Sequence, residues 1–231
     1  MFGGSFNPIH FGHLLVADDI AETLALDRVL FVPAATPPHK PAAELAPAAH
    51  RFEMARLAIA EHPRFEVSDV ELRRQGPSYT VDTLEALRGR GDLHLIIGSE
   101  TFLDLLSWRE PRRVAALARL VVVPRTGIAF DPESPLSIKV LSELGIGAFA
   151  ISGGPDLVSA RLASGCGSPD APALPQSADN QKAPVLVPAA SLPISGSDLR
   201  RRAREGRSLA YRMPAAVVAY IREHGLYRAS A

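Results

Sequence analysis

Cysteine is almost missing from this sequence, with Cys166 the single one. One thiol excludes an intramolecular disulfide and any cysteine-built zinc site. It also lies in a stretch rich in Gly, Ser and Pro, which offers nothing to tune a nucleophile. Net charge is missing too: Lys plus Arg is 25 and Asp plus Glu is 25. That balance speaks against a protein whose main business is coating nucleic acid or an anionic membrane. Long apolar runs are absent. The longest, at 114–124 and 28–33, are short and carry Arg119 and Arg28, against the roughly 18 residues of a membrane span. The chain opens with no basic segment ahead of an apolar one, so no secretory leader is expected, and a soluble, cytoplasmic protein is. What remains is ordinary globular material: 231 residues, 47% apolar and 22% charged, enough for a sizeable core.

Short apolar runs alternate with amphipathic stretches. Residues 28–33, 93–97 and 120–123 read as buried strands, and 65–72 alternates with period two as a half-buried one. Between them, 14–26, 50–60, 81–88 and 112–118 carry apolar residues at helical spacing. Strand and helix repeated in this way predict an α/β fold, a parallel sheet with helices on both faces. Ligands of such sheets bind beyond the carboxyl ends of the strands. The pattern dissolves after Gly145, and 152–183, rich in Gly, Ser, Ala, Pro and Asp, reads as a flexible insertion. A strand at 185–187 and helices near 197–205 and 214–224 close the chain, with Pro214 at a helix start and Gly225 at a helix end. A single domain over 1–231 is therefore expected. Gly3-Gly4 looks like the loop after a first strand, yet only Met1 and Phe2 precede it. A central strand wants about five residues, so that strand is stunted or the true start lies upstream of Met1.

Chemistry concentrates first in Gly3-Gly4-Ser5-Phe6-Asn7-Pro8-Ile9-His10-Phe11-Gly12-His13, which leads into a helix. The glycines let backbone approach a phosphate, and the helix start offers unpaired N–H groups and a positive dipole end. His10 and His13 are three apart, so one helical turn puts both imidazoles on one side. Such a pair suits the anionic transition state of phosphoryl transfer. A metal site would want a third ligand and usually i, i+4 spacing. The second motif is Ile194-Ser195-Gly196-Ser197-Asp198-Leu199-Arg200, ahead of Arg201, Arg202 and Arg204. Hydroxyls at a helix start cap N–H groups or bind phosphate, and Arg200 adds a bidentate anion donor.

The first string resembles the signature of the His-x-Gly-His nucleotidyltransferase superfamily, which joins an NTP to a phosphate acceptor and releases pyrophosphate. The second is similar to that superfamily's Ile-Ser-x-Thr/Ser-x-x-Arg signature, which holds the β and γ phosphates of ATP. Gly196 stands where a serine is usual and Ser197 where a threonine is; of the basic run only Arg200 matches. Three further segments select a family: Pro37-Pro38-His39-Lys40, Pro77-Ser78-Tyr79-Thr80-Val81-Asp82-Thr83-Leu84, and Gly98-Ser99-Glu100 with Ser107-Trp108. In this order they resemble the bacterial nicotinate mononucleotide adenylyltransferases, as does the closing Tyr220-Ile221-Arg222-Glu223-His224-Gly225-Leu226-Tyr227. The likeness covers 1–124 and about 184–228.

That resemblance implies a Rossmann-like doubly wound sheet of the nucleotidyltransferase type and transfer of the adenylyl group of ATP to nicotinate mononucleotide, giving deamido-NAD and pyrophosphate. It assigns His10 and His13 to catalysis. Gly4, Ser5, Lys40, Gly98, Glu100, Ile194, Ser195, Ser197 and Arg200 go to ATP and its phosphates. Tyr79, Thr80 and Trp108 go to the mononucleotide, the Trp108 ring stacking on the pyridine. Glu100 departs from the family's usual Asp. Mg²⁺ is expected on the phosphates, with no metal ligand from the chain and no nucleic acid or membrane as partner. The alternatives are a relative acting on nicotinamide mononucleotide, phosphopantetheine or with CTP, and a nucleotide-binding module without catalysis. The Pro-Ser-Tyr-Thr string and Trp108 favour a pyridine ring. His39, His50, His62, His94 and His224 carry no strong case as catalysts, though His39 lies near the site by motif.

Overall fold

The structure is a computed structural model that describes residues 1–38, 41, 45–124, 130–151, 183–190 and 192–228. Cys166, Lys40 and nearly all of the 152–183 insertion lie outside the described residues. In chain order the elements are β1 (Phe2–Gly4), α1 (Phe11–Thr23), β2 (Val29–Pro33), α2 (Ala48–Ile59), β3 (Phe65–Val67), α3 (Thr80–Ala86), β4 (His94–Gly98) and α4 (Ser99–Leu103). There follow α5 (Pro111–Leu117), β5 (Arg119–Val123), α6 (Pro135–Leu144), β6 (Ala150–Ile151), β7 (Val185–Leu186), α7 (Gly196–Arg204) and α8 (Ala215–Glu223). Among the described residues no helix is long and apolar enough to cross a membrane.

The chain forms two compact units, one of Met1–Ala86 with Ala190–Ala231, the other of Leu87–Ala189. In the first, β1, β2 and β3 pair in parallel, with Phe2 opposite Phe31 and Val29 opposite Phe65. Parallel strands need crossovers, and α1 and α2 supply them. The core gathers Phe31, Val32, Ile20, Ala21, Met54, Ala55 and Val217, all 0% exposed. Because every strand here is parallel, the loops after β1, β2 and β3 leave from one end of the sheet. Those loops carry the first motif, residues 34–38 and the Tyr79-Thr80 pair. They are tied together: Ala34 N–H donates to the Gly4 carbonyl at 2.9 Å, and Ser78 N–H to the Thr36 carbonyl at 2.9 Å. In the second unit β4 pairs with β5, β5 with β7 and β7 with β6, all parallel. Leu95, Ile96, Leu120, Val121 and Val122 bury that sheet against Phe102, Leu105, Val114 and Val140.

Two expectations are corrected. The strand expected over 65–72 stops at Val67. Ser68 N–H still reaches the Phe31 carbonyl at 2.9 Å, but the Ser68 hydroxyl then accepts from Val70 N–H at 3.3 Å and turns the chain, the local side-chain competition that ends ladders. The second correction is α6, a helix the periodicity did not disclose. Its start and stop are conventional: the Ser134 side chain accepts from Ser137 N–H, Pro135 opens the first turn, and Gly145 closes it in the left-handed conformation at φ 69°. The first strand is short, three residues.

Candidate active site

His10 ends the loop after β1 and occupies the cap position of α1, with extended backbone. The ring of His13, one turn on, lies against it with centroids 3.8 Å apart and planes 30° from parallel. The spacing therefore does what a helical turn dictates. Gly12 makes it possible: a Cβ there would come within 3.1 Å of the His10 ring. His13 is edge-on to Phe6 at 5.2 Å, and Phe6 is 2% exposed, so the ring stands on a buried floor. The backbone N–H of His10 donates to His13 Nδ1 at 3.3 Å. A neutral imidazole that accepts at Nδ1 carries its proton on Nε2, which leaves Nε2–H as the donor.

The second motif is held to the same loop. Ser195 caps α7, its hydroxyl accepting from Asp198 N–H at 3.2 Å and lying 3.1 Å from the Ser197 hydroxyl. One turn on, Arg200 donates through Nη1 to the backbone carbonyl of Asn7 at 2.9 Å. At Gly196 the approach is closer still: a Cβ would sit 3.0 Å from that carbonyl oxygen and 3.3 Å from Arg200 Nη1. Two imidazoles, two hydroxyls, a helix start and a guanidinium thus lie in one unit, with the second motif tied through Arg200 to the loop that carries the first. This set can receive a chain of phosphates.

The sequence as a whole agrees. Residues 1–202 match the family described as Cytidylyltransferase-like. Proteins described as probable nicotinate-nucleotide adenylyltransferases are similar along the full length. One from Roseiflexus sp. is 41% identical over 99% of this chain and 96% of its own. One from Thermus thermophilus is 42% identical over 99% and 98%. The chain belongs to the nicotinate-nucleotide adenylyltransferase family. Its fold is the Rossmann-like nucleotidyltransferase one, parallel sheet with flanking helices. A solved nicotinic acid mononucleotide adenylyltransferase from Plasmodium falciparum, complexed with NaAD, superposes with a TM-score of 0.64 over 98% of this chain and 95% of that one, at 17% identity.

The remaining residues expected at an adenylyltransferase site divide between the units. Gly4 ends β1, and the Ser5 carbonyl accepts from Arg51 Nη1 at 2.9 Å. Ile194 is half-buried just before the cap. Tyr79 and Thr80 stand at the start of α3, where the Tyr79 carbonyl accepts from the Thr83 hydroxyl at 3.3 Å. Beneath that turn Glu71, 5% exposed, accepts from the same hydroxyl at 2.7 Å. In the second unit Gly98 is the exposed last residue of β4, Glu100 lies exposed in the first turn of α4, and Trp108 is half-buried after a short 3₁₀ turn at Leu105–Ser107.

Three residues, Arg51, Asn7 and Tyr227, carry roles that the sequence does not assign. Arg51 is 1% exposed and spends its guanidinium on three carbonyls: Ala46 at 2.8 Å, Ser5 at 2.9 Å and Ala35 at 3.1 Å. It staples the loop after β1 to the loop after β2. Burial pulls its pKa below the usual value, with Tyr227 and Glu71 acting in the other direction. Asn7, 5% exposed, and Tyr227 are the other two. The Arg51 cue was on the page: it shares a helical face with Met54 and Ala55, three and four residues on, both buried. His50 and His62 serve structure. His50 Nδ1 lies 2.8 Å from the Tyr220 hydroxyl, and His62 pairs with Asp18 at 3.0 Å while stacking on Phe65.

Proposed function

We propose that the His10/His13 pair and the Ser195–Arg200 helix start receive the triphosphate of ATP for adenylyl transfer to nicotinate mononucleotide, in the cytoplasm. The chain is a nicotinate-nucleotide adenylyltransferase of NAD biosynthesis, an ATP-using nucleotidyltransferase. An oxygen of the mononucleotide's 5′-phosphate attacks the α-phosphorus in line. The new P–O–P bond forms as the bond to the β-phosphate oxygen breaks, and pyrophosphate leaves with that electron pair. No covalent enzyme intermediate is required, since the acceptor is already a nucleophile, and the protein contributes position and charge stabilisation. The single observation that carries this reading is the close imidazole pair at the start of α1, 3.8 Å between ring centroids, on the loop whose Asn7 carbonyl holds Arg200.

Within that reading His10 and His13 donate to phosphate oxygens as charge moves toward the leaving group. Ser195, Ser197 and Arg200, with Ile194 before them, hold the β and γ phosphates, and Gly4 and Ser5 line the approach. Lys40, Gly98 and Glu100 complete the ATP contacts. Tyr79, Thr80 and Trp108 take the mononucleotide. The family match runs from residue 1 to 202 without a break, which supports treating the chain as one nucleotidyltransferase domain. Mg²⁺ prefers several oxygen ligands. Among the described residues no three His, Cys, Asp or Glu side chains converge to cage a metal, and the site nitrogens are poor partners for it. When bound, the ion would sit on the phosphate oxygens of the substrate and neutralise their charge.

Two tests follow. Pyrophosphate release is measured with ATP and either nicotinate or nicotinamide mononucleotide. A higher kcat/KM for the nicotinate form is expected, and a preference for the amide overturns the acceptor. In Gly196→Ala the new methyl meets a backbone carbonyl that Arg200 already holds, so the clash cannot relax by rotating a side chain. Overpacking of this kind costs about 1 kcal/mol or more, about fivefold in kcat/KM for ATP. Parental ATP kinetics in that variant would show that the helix start and the loop are not locked together.

A further inference from the structure

The side chain of Asn7 and the hydroxyl of Tyr227 have no part in the chemistry above, yet both lie behind Arg200. Tyr227 O–H donates to Asn7 Oδ1 at 2.8 Å, and Ala46 N–H donates to the same oxygen at 3.0 Å. Two donors fill the lone pairs of one carbonyl oxygen, so the amide is pinned from both sides. The backbone carbonyl of the same residue takes Arg200 Nη1 at 2.9 Å. Across from it, the Gly196 backbone leaves no room for a Cβ, which would stand 3.0 Å from that oxygen.

We propose that Tyr227 is a positioning residue for the triphosphate, acting through Asn7 to hold the Arg200 guanidinium in its binding orientation. The proposal rests on the reading of Arg200 as a phosphate ligand. A long arginine side chain loses much rotamer freedom when it clamps an anion, and one already held loses less. The backbone at Tyr227 argues that the placement is specific. Its φ is 63°, in the left-handed region that bulky residues seldom enter, and it follows Gly225 at φ 59°. A residue present only to fill space needs no hydroxyl, and burying one is costly unless it is bonded. Burial pushes the phenol pKa well above its ordinary value, against the opposite pull of Arg200 and Arg51. The group is therefore a protonated donor across neutral pH.

Tyr227→Phe keeps the ring and removes the donor. Its expected effect is a five- to tenfold rise in KM for ATP, roughly what one lost hydrogen bond gives. KM for the mononucleotide stays within about twofold, and Tm shifts by no more than about 4 °C, the size of one such bond in a chain of this length. The deciding measurement is a double-mutant cycle with Arg200→Ala. If Tyr227 acts through Arg200, the ATP effect of Tyr227→Phe disappears in the Arg200→Ala background. Additive losses, equal weakening of both substrates, or a fall in Tm without an ATP effect overturn the proposal. An Arg200→Ala variant with parental ATP kinetics instead overturns the phosphate reading of Arg200 and takes this proposal with it. If Arg200→Ala weakens ATP and Tyr227→Phe does not, the proposal fails alone.

Discussion

Turnover in a His13→Ala variant is expected to fall about 100-fold or more, the loss typical of removing one donor to a transition-state oxyanion. In the proposed mechanism that donor is Nε2–H of His13, the tautomer consistent with Nδ1 accepting from the His10 backbone N–H at 3.3 Å. The ground state gains little from it, so KM for ATP should move much less than kcat, the signature of an interaction made late on the reaction path. Folding should change little, because the ring is only half-buried and its bond from the His10 backbone N–H is long, at 3.3 Å. Pyrophosphate release at saturating substrates measures the effect. Turnover within about threefold of the parent removes His13 from the mechanism, whatever the fate of His10.

The second large effect concerns stability. Arg51→Met keeps an unbranched apolar stem and removes the guanidinium that donates to the Ala46, Ser5 and Ala35 carbonyls. The bond to Ala46 is buried and those to Ser5 and Ala35 are half-buried; a buried acceptor that loses its donor costs about 1–3 kcal/mol and a wetter one less, so a loss of about 3 kcal/mol in unfolding free energy is expected. Denaturant unfolding gives the number. The contrast is Arg56 on the same helix, paired with Glu53 at its solvent face with 53% of its side chain exposed. A solvent-screened pair of that kind contributes little. A loss below about 1 kcal/mol in Arg51→Met would mean that water reaches all three carbonyls and that the two loops do not depend on this residue.

These effects mark what the sequence makes legible. His10 and His13 can be paired from spacing alone, because the turn of a helix is a fixed length. Ser195 as a cap with Arg200 one turn on is legible for the same reason. The parallel architecture follows from strands alternating with helices. Long-range polar contacts leave no periodic trace. Asn7 meets Ala46, Arg200 and Tyr227, three residues with nothing in common until the chain is folded. The helix α6 was hidden by its own surface: Leu136 and Ile138 are 51% and 55% exposed, so apolar residues at both faces blur the buried set of Ser137, Val140, Leu141 and Leu144. The strand over 65–72 erred in the opposite direction. Alternation continued past Val67, but a serine hydroxyl had already turned the backbone.

The bond between Tyr227 and Asn7 joins positions 220 apart in sequence. A ribosome adding about 5–20 residues per second delivers the second partner about 10–40 s after the first. Through most of synthesis the loop that carries both histidines therefore exists without the phenol that pins it. A fragment ending before Tyr227 would contain the His10/His13 and Ser195–Arg200 motifs in full and still lack that pin. On the positioning role proposed for Tyr227, such a fragment would hold ATP more weakly than a chain that includes Tyr227.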